Sequence, residues 1–126
     1  ITNGLYSGTF KTLLDCGVSK ENILKLEVPG SFELIYGARI LYKKSCDAII
    51  CLGSVIQGET KHFDYVCQGV TNGIKDLNIS LDVPVIFGVL TDNTKEQAIN
   101  RSGGIHGNKG VEAAITAIKM AHLNRN

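Results

Sequence analysis

The sequence predicts an α/β domain, a three-layer αβα sandwich built around a parallel sheet. Apolar runs of the kind found in strands covered on both faces alternate along the chain with segments whose apolar residues recur every three or four positions. Pro-Gly and glycine-rich punctuation separates these segments, and no linker or low-complexity stretch interrupts them. Length and composition agree: 126 residues, 44% hydrophobic and 20% charged, suit one domain over residues 1–126 with a core of its own. Strands joined through helices imply parallel pairing by right-handed crossovers.

The first element is a helix from about Gly4 to Cys16, carried by Leu5, Phe10, Leu13 and Leu14, with Gly17 as its C-cap. Ile23 to Val28 reads as a strand stopped by Pro29-Gly30. A helix from about Phe32 to Lys44 follows, with Leu34, Ile35, Ala38 and Leu41 on one stripe. Ala48 to Ile56 is almost wholly apolar and reads as a buried strand. The clearest helix spans about His62 to Leu77, where Phe63, Val66, Cys67, Val70, Ile74 and Leu77 repeat at helical steps. Val83 to Leu90 is a second buried strand, with Pro84 near its beginning, where a missing donor is tolerated. Thr94 to Gln97 has capping-box spacing and opens a short helix to about Arg101. A glycine-rich loop, Gly103 to Gly110, leads into a last helix using Val111, Ala114, Ile115 and Ile118. Doubly wound domains usually open on a central strand. A chain opening on a helix with three strands therefore predicts a first strand missing from this sequence, or a sheet edge completed by a neighbouring subunit.

Charge narrows the function. Thirteen basic against twelve acidic side chains leave +1, which excludes a strongly basic chain built for nonspecific nucleic-acid binding. No apolar run approaches the roughly 20 residues of a membrane span, and no basic-then-apolar signal stands at the start. Cys16, Cys46, Cys51 and Cys67 show no CxxC spacing; Cys51 and Cys67 read as small core residues, and the expected compartment is the reducing cytoplasm. No cluster has metal-ligand spacing, so no metal is expected.

In open parallel sheets ligands sit beyond the carboxyl ends of the strands. Gly58 to His62 lies at such an end: Gly58 permits close backbone approach, and the helix start after it favours an anion. Thr60 can offer a hydroxyl donor or cap the helix, and His62 is either a proton carrier or a surface histidine. Arg101 suits bidentate phosphate contact, or is a solvated helix-end charge. Phe32 and Glu33, after Pro29-Gly30, read equally as a stacking face with a carboxylate for hydroxyls, or as a core residue with a helix-start acid.

The segments VPGSFEL (Val28–Leu34), LGSVIQGETKHFDYV (Leu52–Val66), PVIFGVLT (Pro84–Thr91), EQAINRSG (Glu96–Gly103) and GNKG (Gly107–Gly110) resemble the lumazine synthase family, in its order and spacing. The resemblance implies a flavodoxin-like fold and condensation of 5-amino-6-(D-ribitylamino)uracil with 3,4-dihydroxy-2-butanone 4-phosphate to 6,7-dimethyl-8-ribityllumazine, without a cofactor. It implies that Ser31, Phe32 and Glu33 bind the pyrimidine and its ribityl chain, and that Val55, Ile56 and Phe87 line the pocket. By the same resemblance Gly58, Glu59 and Thr60 hold the phosphate, and Arg101 from an adjacent subunit completes that site. His62 would transfer protons, assisted by Asp64. Gln57, Asn100 and Ile105 stand where many members carry arginine, an acid and lysine. Members also carry a stacking aromatic, often in an Arg-Phe-Asn run, ahead of the segment matching Ile1. The implied assembly is a pentamer, and the short Gly103–Gly110 loop points to an icosahedral shell of sixty chains, with riboflavin synthase as a possible partner. A binding module without catalysis and a purely structural shell protein are the competing classes. Turnover separates the enzyme from both, and solution mass separates the shell from the binding module.

Overall fold

The computed structural model describes residues 1–125. Helix α1 (Thr2–Asp15) opens the chain, and α2 (Leu34–Tyr42), β1 (Ile49–Ile56), α3 (His62–Ser80) and β2 (Val85–Asp92) follow. Then come α4 (Lys95–Arg101), the short strands β3 (Ser102–Gly104) and β4 (Gly107–Asn108), and α5 (Lys109–Arg125).

Strands β1 and β2 pair in parallel from Ile49↔Val85 to Ile56↔Asp92. Alternation sorts their side chains onto two faces. Ile49, Cys51, Val85 and Val89 pack with Ala38 of α2 and with Val70, Ile74 and Leu77 of α3. On the opposite face Leu90 packs with Leu5 of α1 and Ala98 of α4, while Ile86 meets Ala113 and Ala117 of α5. The result is the three-layer αβα arrangement expected of an α/β chain with a parallel sheet.

Two elements depart from the sequence reading. Ile23–Val28 forms no strand: no other described segment pairs with it, and Leu24 and Leu26 stay exposed. Its backbone donors therefore find no ladder, and Val28 instead rests against α2 at Gly37. The last helix packs through Gly110, Ala113, Ala114 and Ala117, whereas Ile115 is exposed. Close approach selects these small residues, since a side chain at Gly110 would collide with the Leu5 carbonyl of α1. The glycine-rich loop before α5 is itself ordered as the antiparallel β3–β4 pair.

Local chemistry explains several boundaries. Gly17 has φ +95°, and the bonds Gly17 N–H to Leu14 O and Val18 N–H to Leu13 O close α1 as a Schellman motif. Thr94 accepts from Gln97 N–H at 3.2 Å and the Gln97 side chain accepts from Asn93 N–H at 2.9 Å, so the capping box forms with its return bond one residue early. The helix expected from Phe32 begins as a 3-10 turn at Ser31–Glu33 and becomes α-helical at Leu34. Pro84 lies just before β2, where its carbonyl still accepts from Ile49 N–H. Among the described residues no helix is long and apolar enough to cross a membrane.

Candidate active site

Both parallel strands point their carboxyl ends at one edge of the sheet, and the expected site residues gather around that edge. The first group stands on the α2–α3 face. The Ser31–Glu33 turn is held by Glu33 N–H donating to Gly30 O at 3.1 Å. Two glycines make room for it. A Cβ at Gly53 of β1 would come within 2.7 Å of Ser31 Oγ, and one at Gly69 of α3 within 3.1 Å of Phe32 Cε1. Phe32 thus lies along α3 while remaining 59% exposed, an aromatic face backed by helix and open to solvent. Glu33 is exposed, and its Oε1 lies toward Gly30.

His62 stands seven residues before Gly69, almost two turns, so both share one side of α3 about 10 Å apart along the axis. Val66 and Gly73 continue that stripe; Gly73 receives Ile35 of α2. Phe32 and His62 therefore stand along one side of α3, both exposed.

The Gln57–Lys61 loop joins β1 to α3. Gln57 N–H donates to Asp92 O at 2.9 Å, which fixes the start of the loop to the end of β2. Gly58 has open space around it, and Glu59, Thr60 and Lys61 are exposed. Thr60 Oγ1 accepts from His62 N–H at 3.3 Å. Thr60 stands one residue before the N-cap position of α3, Lys61, so its hydroxyl accepts from the first helical N–H without being the helix cap, and its own proton is free to turn to another oxygen. An anion at this loop would meet backbone, a hydroxyl donor and the positive end of a 19-residue helix.

Asp64 is two positions from His62 on a helix, so the two side chains diverge by about 200°. The Asp64 charge instead acts on Cys67, whose thiol is pushed up by burial first and by Asp64 second. Val55 packs at the margin of the core, and Ile56 is exposed beside the loop. Phe87 pairs with Cys51, five positions before the strand end at Ile56, so it sits about 17 Å back from that end.

Arg101 lies on the other face, at the end of α4, which packs on β2. Its Nη1 donates to Asp92 Oδ1 at 2.5 Å, and its side chain is 46% exposed. Within one chain Ser31, Phe32, Glu33 and His62 share the α3 side of the sheet, and Gly58, Glu59 and Thr60 stand in the loop that leads into α3. The structure sets Phe87 and Arg101 apart from them. Sequence reasoning passed over Gly53 and Gly69, and it set Asp92 at the carboxyl end of a strand, within Leu90–Asn93, without giving it a role. A glycine interrupting an apolar strand, and glycines four apart on an amphipathic helix, were the signals for the first two. An acid hidden at a strand end has no signature of its own, because burial depends on what packs over it.

None of the four cysteines is paired. Cys51 is buried in the core, and burial pushes its thiol up to about 12. Cys67 is only half-buried, so of the two expected core thiols one lies at the periphery.

Residues 1–125 match the model of the 6,7-dimethyl-8-ribityllumazine synthase family. The chain is 63% identical over 126 residues to the 6,7-dimethyl-8-ribityllumazine synthase of Flavobacterium johnsoniae, covering 99% of this chain and 66% of that protein. It is 61% identical over 127 residues to the protein of the same name from Christiangramia forsetii, covering 99% and 76%. The relative from Bacteroides fragilis, again so named, is 57% identical over 121 residues, covering 95% and 85%. The chain thus spans about two thirds of the length of the Flavobacterium relative.

Proposed function

Since the chain belongs to the 6,7-dimethyl-8-ribityllumazine synthase family, we propose that the protein condenses 5-amino-6-(D-ribitylamino)uracil with 3,4-dihydroxy-2-butanone 4-phosphate, yielding 6,7-dimethyl-8-ribityllumazine, phosphate and water. The observation that carries this reading is one exposed side of α3. An exposed aromatic seated over Gly69, an imidazole on the same stripe and an open glycine loop with a hydroxyl donor converge at the carboxyl edge of a parallel sheet. An aromatic face suits a pyrimidine, Glu33 suits ribityl hydroxyls, and the Gly58–Thr60 loop suits a phosphate. The amine attacks the ketone, water leaves to give an imine, phosphate is eliminated, and ring closure releases a second water. Each step moves protons, and His62, exposed in the first turn of α3, is the group for them. Orientation of two bound reactants supplies much of the acceleration, up to roughly 7–11 kcal/mol in well-aligned cases.

Arg101 serves the phosphate from a neighbouring copy in this reading. Its position on the face opposite His62 favours that arrangement over one within a single chain. Exposed Tyr36, Tyr65 and Ile79 supply apolar surface for a homopentamer, and the shortness of the β3–β4 turn favours a sixty-chain shell in the cytoplasm. A steady-state assay with both substrates, following product absorbance and fluorescence, tests the reaction. Turnover that falls in His62→Ala and a raised butanone-phosphate KM in Arg101→Ala are the expected results. Absence of turnover in a correctly assembled protein would leave a structural role instead. Solution mass tests the pentamer and the shell.

A further inference from the structure

Asp92 ends β2, and among the described residues it is the one carboxylate that is buried, at 5% exposure. Its two oxygens differ. Oδ1 accepts from Arg101 Nη1 at 2.5 Å, whereas Oδ2 is sealed from solvent without a partner. A buried carboxylate is costly, and an acid kept for stability alone would have both oxygens satisfied. Here the whole polar contribution of the side chain goes to one guanidinium. Its main-chain carbonyl meanwhile accepts from Gln57 N–H at 2.9 Å, at the head of the Gly58–Thr60 loop. Both anion-binding elements of the chain, the loop and the arginine, are therefore tied to the same residue.

We infer that Asp92 is a positioning residue for the phosphate-binding arginine. The inference rests on the reading of Arg101 as a phosphate contact. Arg101 is a long side chain at the end of a seven-residue helix, nearly half exposed, and unanchored it would sample many rotamers. The carboxylate engages one of its five N–H donors and leaves the others for an incoming anion. Rotational freedom is then given up when the protein folds and not when substrate binds, which is how preorganisation strengthens binding. Asp92 touches no reacting atom in this scheme and acts only through Arg101.

Steady-state kinetics on the assembled protein, varying each substrate separately, test this with a double-mutant cycle. Asp92→Ala should raise KM for 3,4-dihydroxy-2-butanone 4-phosphate about two- to tenfold, the cost of immobilising one long side chain on binding. The change in kcat and in KM for the pyrimidine should be smaller. Asp92→Asn keeps an acceptor for the guanidinium and should recover most of the loss. Arg101→Ala should raise the same KM further, and Asp92→Ala/Arg101→Ala should stay within roughly twofold of it, because residues acting through one another are not additive. An unchanged phosphate-substrate KM in Asp92→Ala, or losses that multiply in the double variant, would overturn the inference. If Arg101→Ala itself leaves that KM unchanged, the phosphate reading fails first. Asp92→Leu fills the carboxylate's volume without an acceptor, and it carries the same test should Asp92→Ala fail to fold.

Discussion

Replacing Gly69 by alanine should stabilise the protein and weaken pyrimidine binding at the same time. The new methyl would stand 3.1 Å from Phe32 Cε1 and 3.5 Å from Cδ1. Ordinary contact begins near 3.4 Å, so the ring must retreat by about 0.3 Å or rotate. It can do so at little cost because Phe32 is 59% exposed and belongs to a 3-10 turn, not to the core. Against that small cost, alanine inside an α-helix is favoured over glycine by about 0.8–1.0 kcal/mol. Helix propensity wins, and the melting temperature at fixed protein concentration should rise by about 3–6 °C for a chain of this size. The aromatic face proposed as the pyrimidine seat is displaced, so KM for the pyrimidine should rise while KM for the phosphate substrate holds. Gly69→Val pushes the ring further, and its β-branching cancels part of the helix gain; the pyrimidine KM should climb again without added stability. Calorimetry and two-substrate kinetics on the three proteins supply the data. If both variants fold and the pyrimidine KM stays at its original value, Phe32 over Gly69 is not the pyrimidine seat.

Three other outcomes follow from the same geometry. His62→Ala should slow turnover by about 10²-fold or more without abolishing it, since positioning of the substrates survives the loss of one proton carrier; rates unchanged within error would remove His62 from the mechanism. Arg101→Ala should also lower stability, by roughly 1–3 kcal/mol, because the buried Asp92 carboxylate is left without its single donor, and adding Asp92→Asn should restore much of the melting temperature. The Cys51 thiol is held up at about 12, from an ordinary value of 9.0. Between these values the unfolded chain has lost a proton that the folded chain keeps, so stability is whole below pH 9 and falls as pH rises toward 12, at up to about 1.4 kcal/mol per pH unit. Denaturant titrations across that window should show a shallower decline in Cys51→Ala than in the unsubstituted protein, and parallel declines would contradict the burial argument.

The chain by itself determined the layer architecture and which residues stand at the carboxyl ends of the strands. Near-continuous apolar runs at Ala48–Ile56 and Val83–Leu90, with a helical stripe from Phe63 to Leu77 between them, admit little besides a βαβ unit, because burial on both faces leaves no polar alternation. The Gly58–His62 segment was legible for a related reason: a glycine, a hydroxyl and a histidine between a strand and a helix are local features, set by neighbours in sequence. Ile23–Val28 was not decidable in this way. A strand exists only where another backbone answers its donors, and among the described residues none does. The buried face of α5 was likewise out of reach, since the closeness of α1 favours Ala113 and Ala117 over Ile115. Only the tertiary structure decided that Phe32 lies over Gly69, that Arg101 stands on the opposite side of the sheet from His62, and that Asp92 is hidden and joined to Arg101. These are relations between residues distant in sequence or on different elements. They are fixed by how helices settle on a twisted sheet, and local patterns of hydrophobicity carry no record of it.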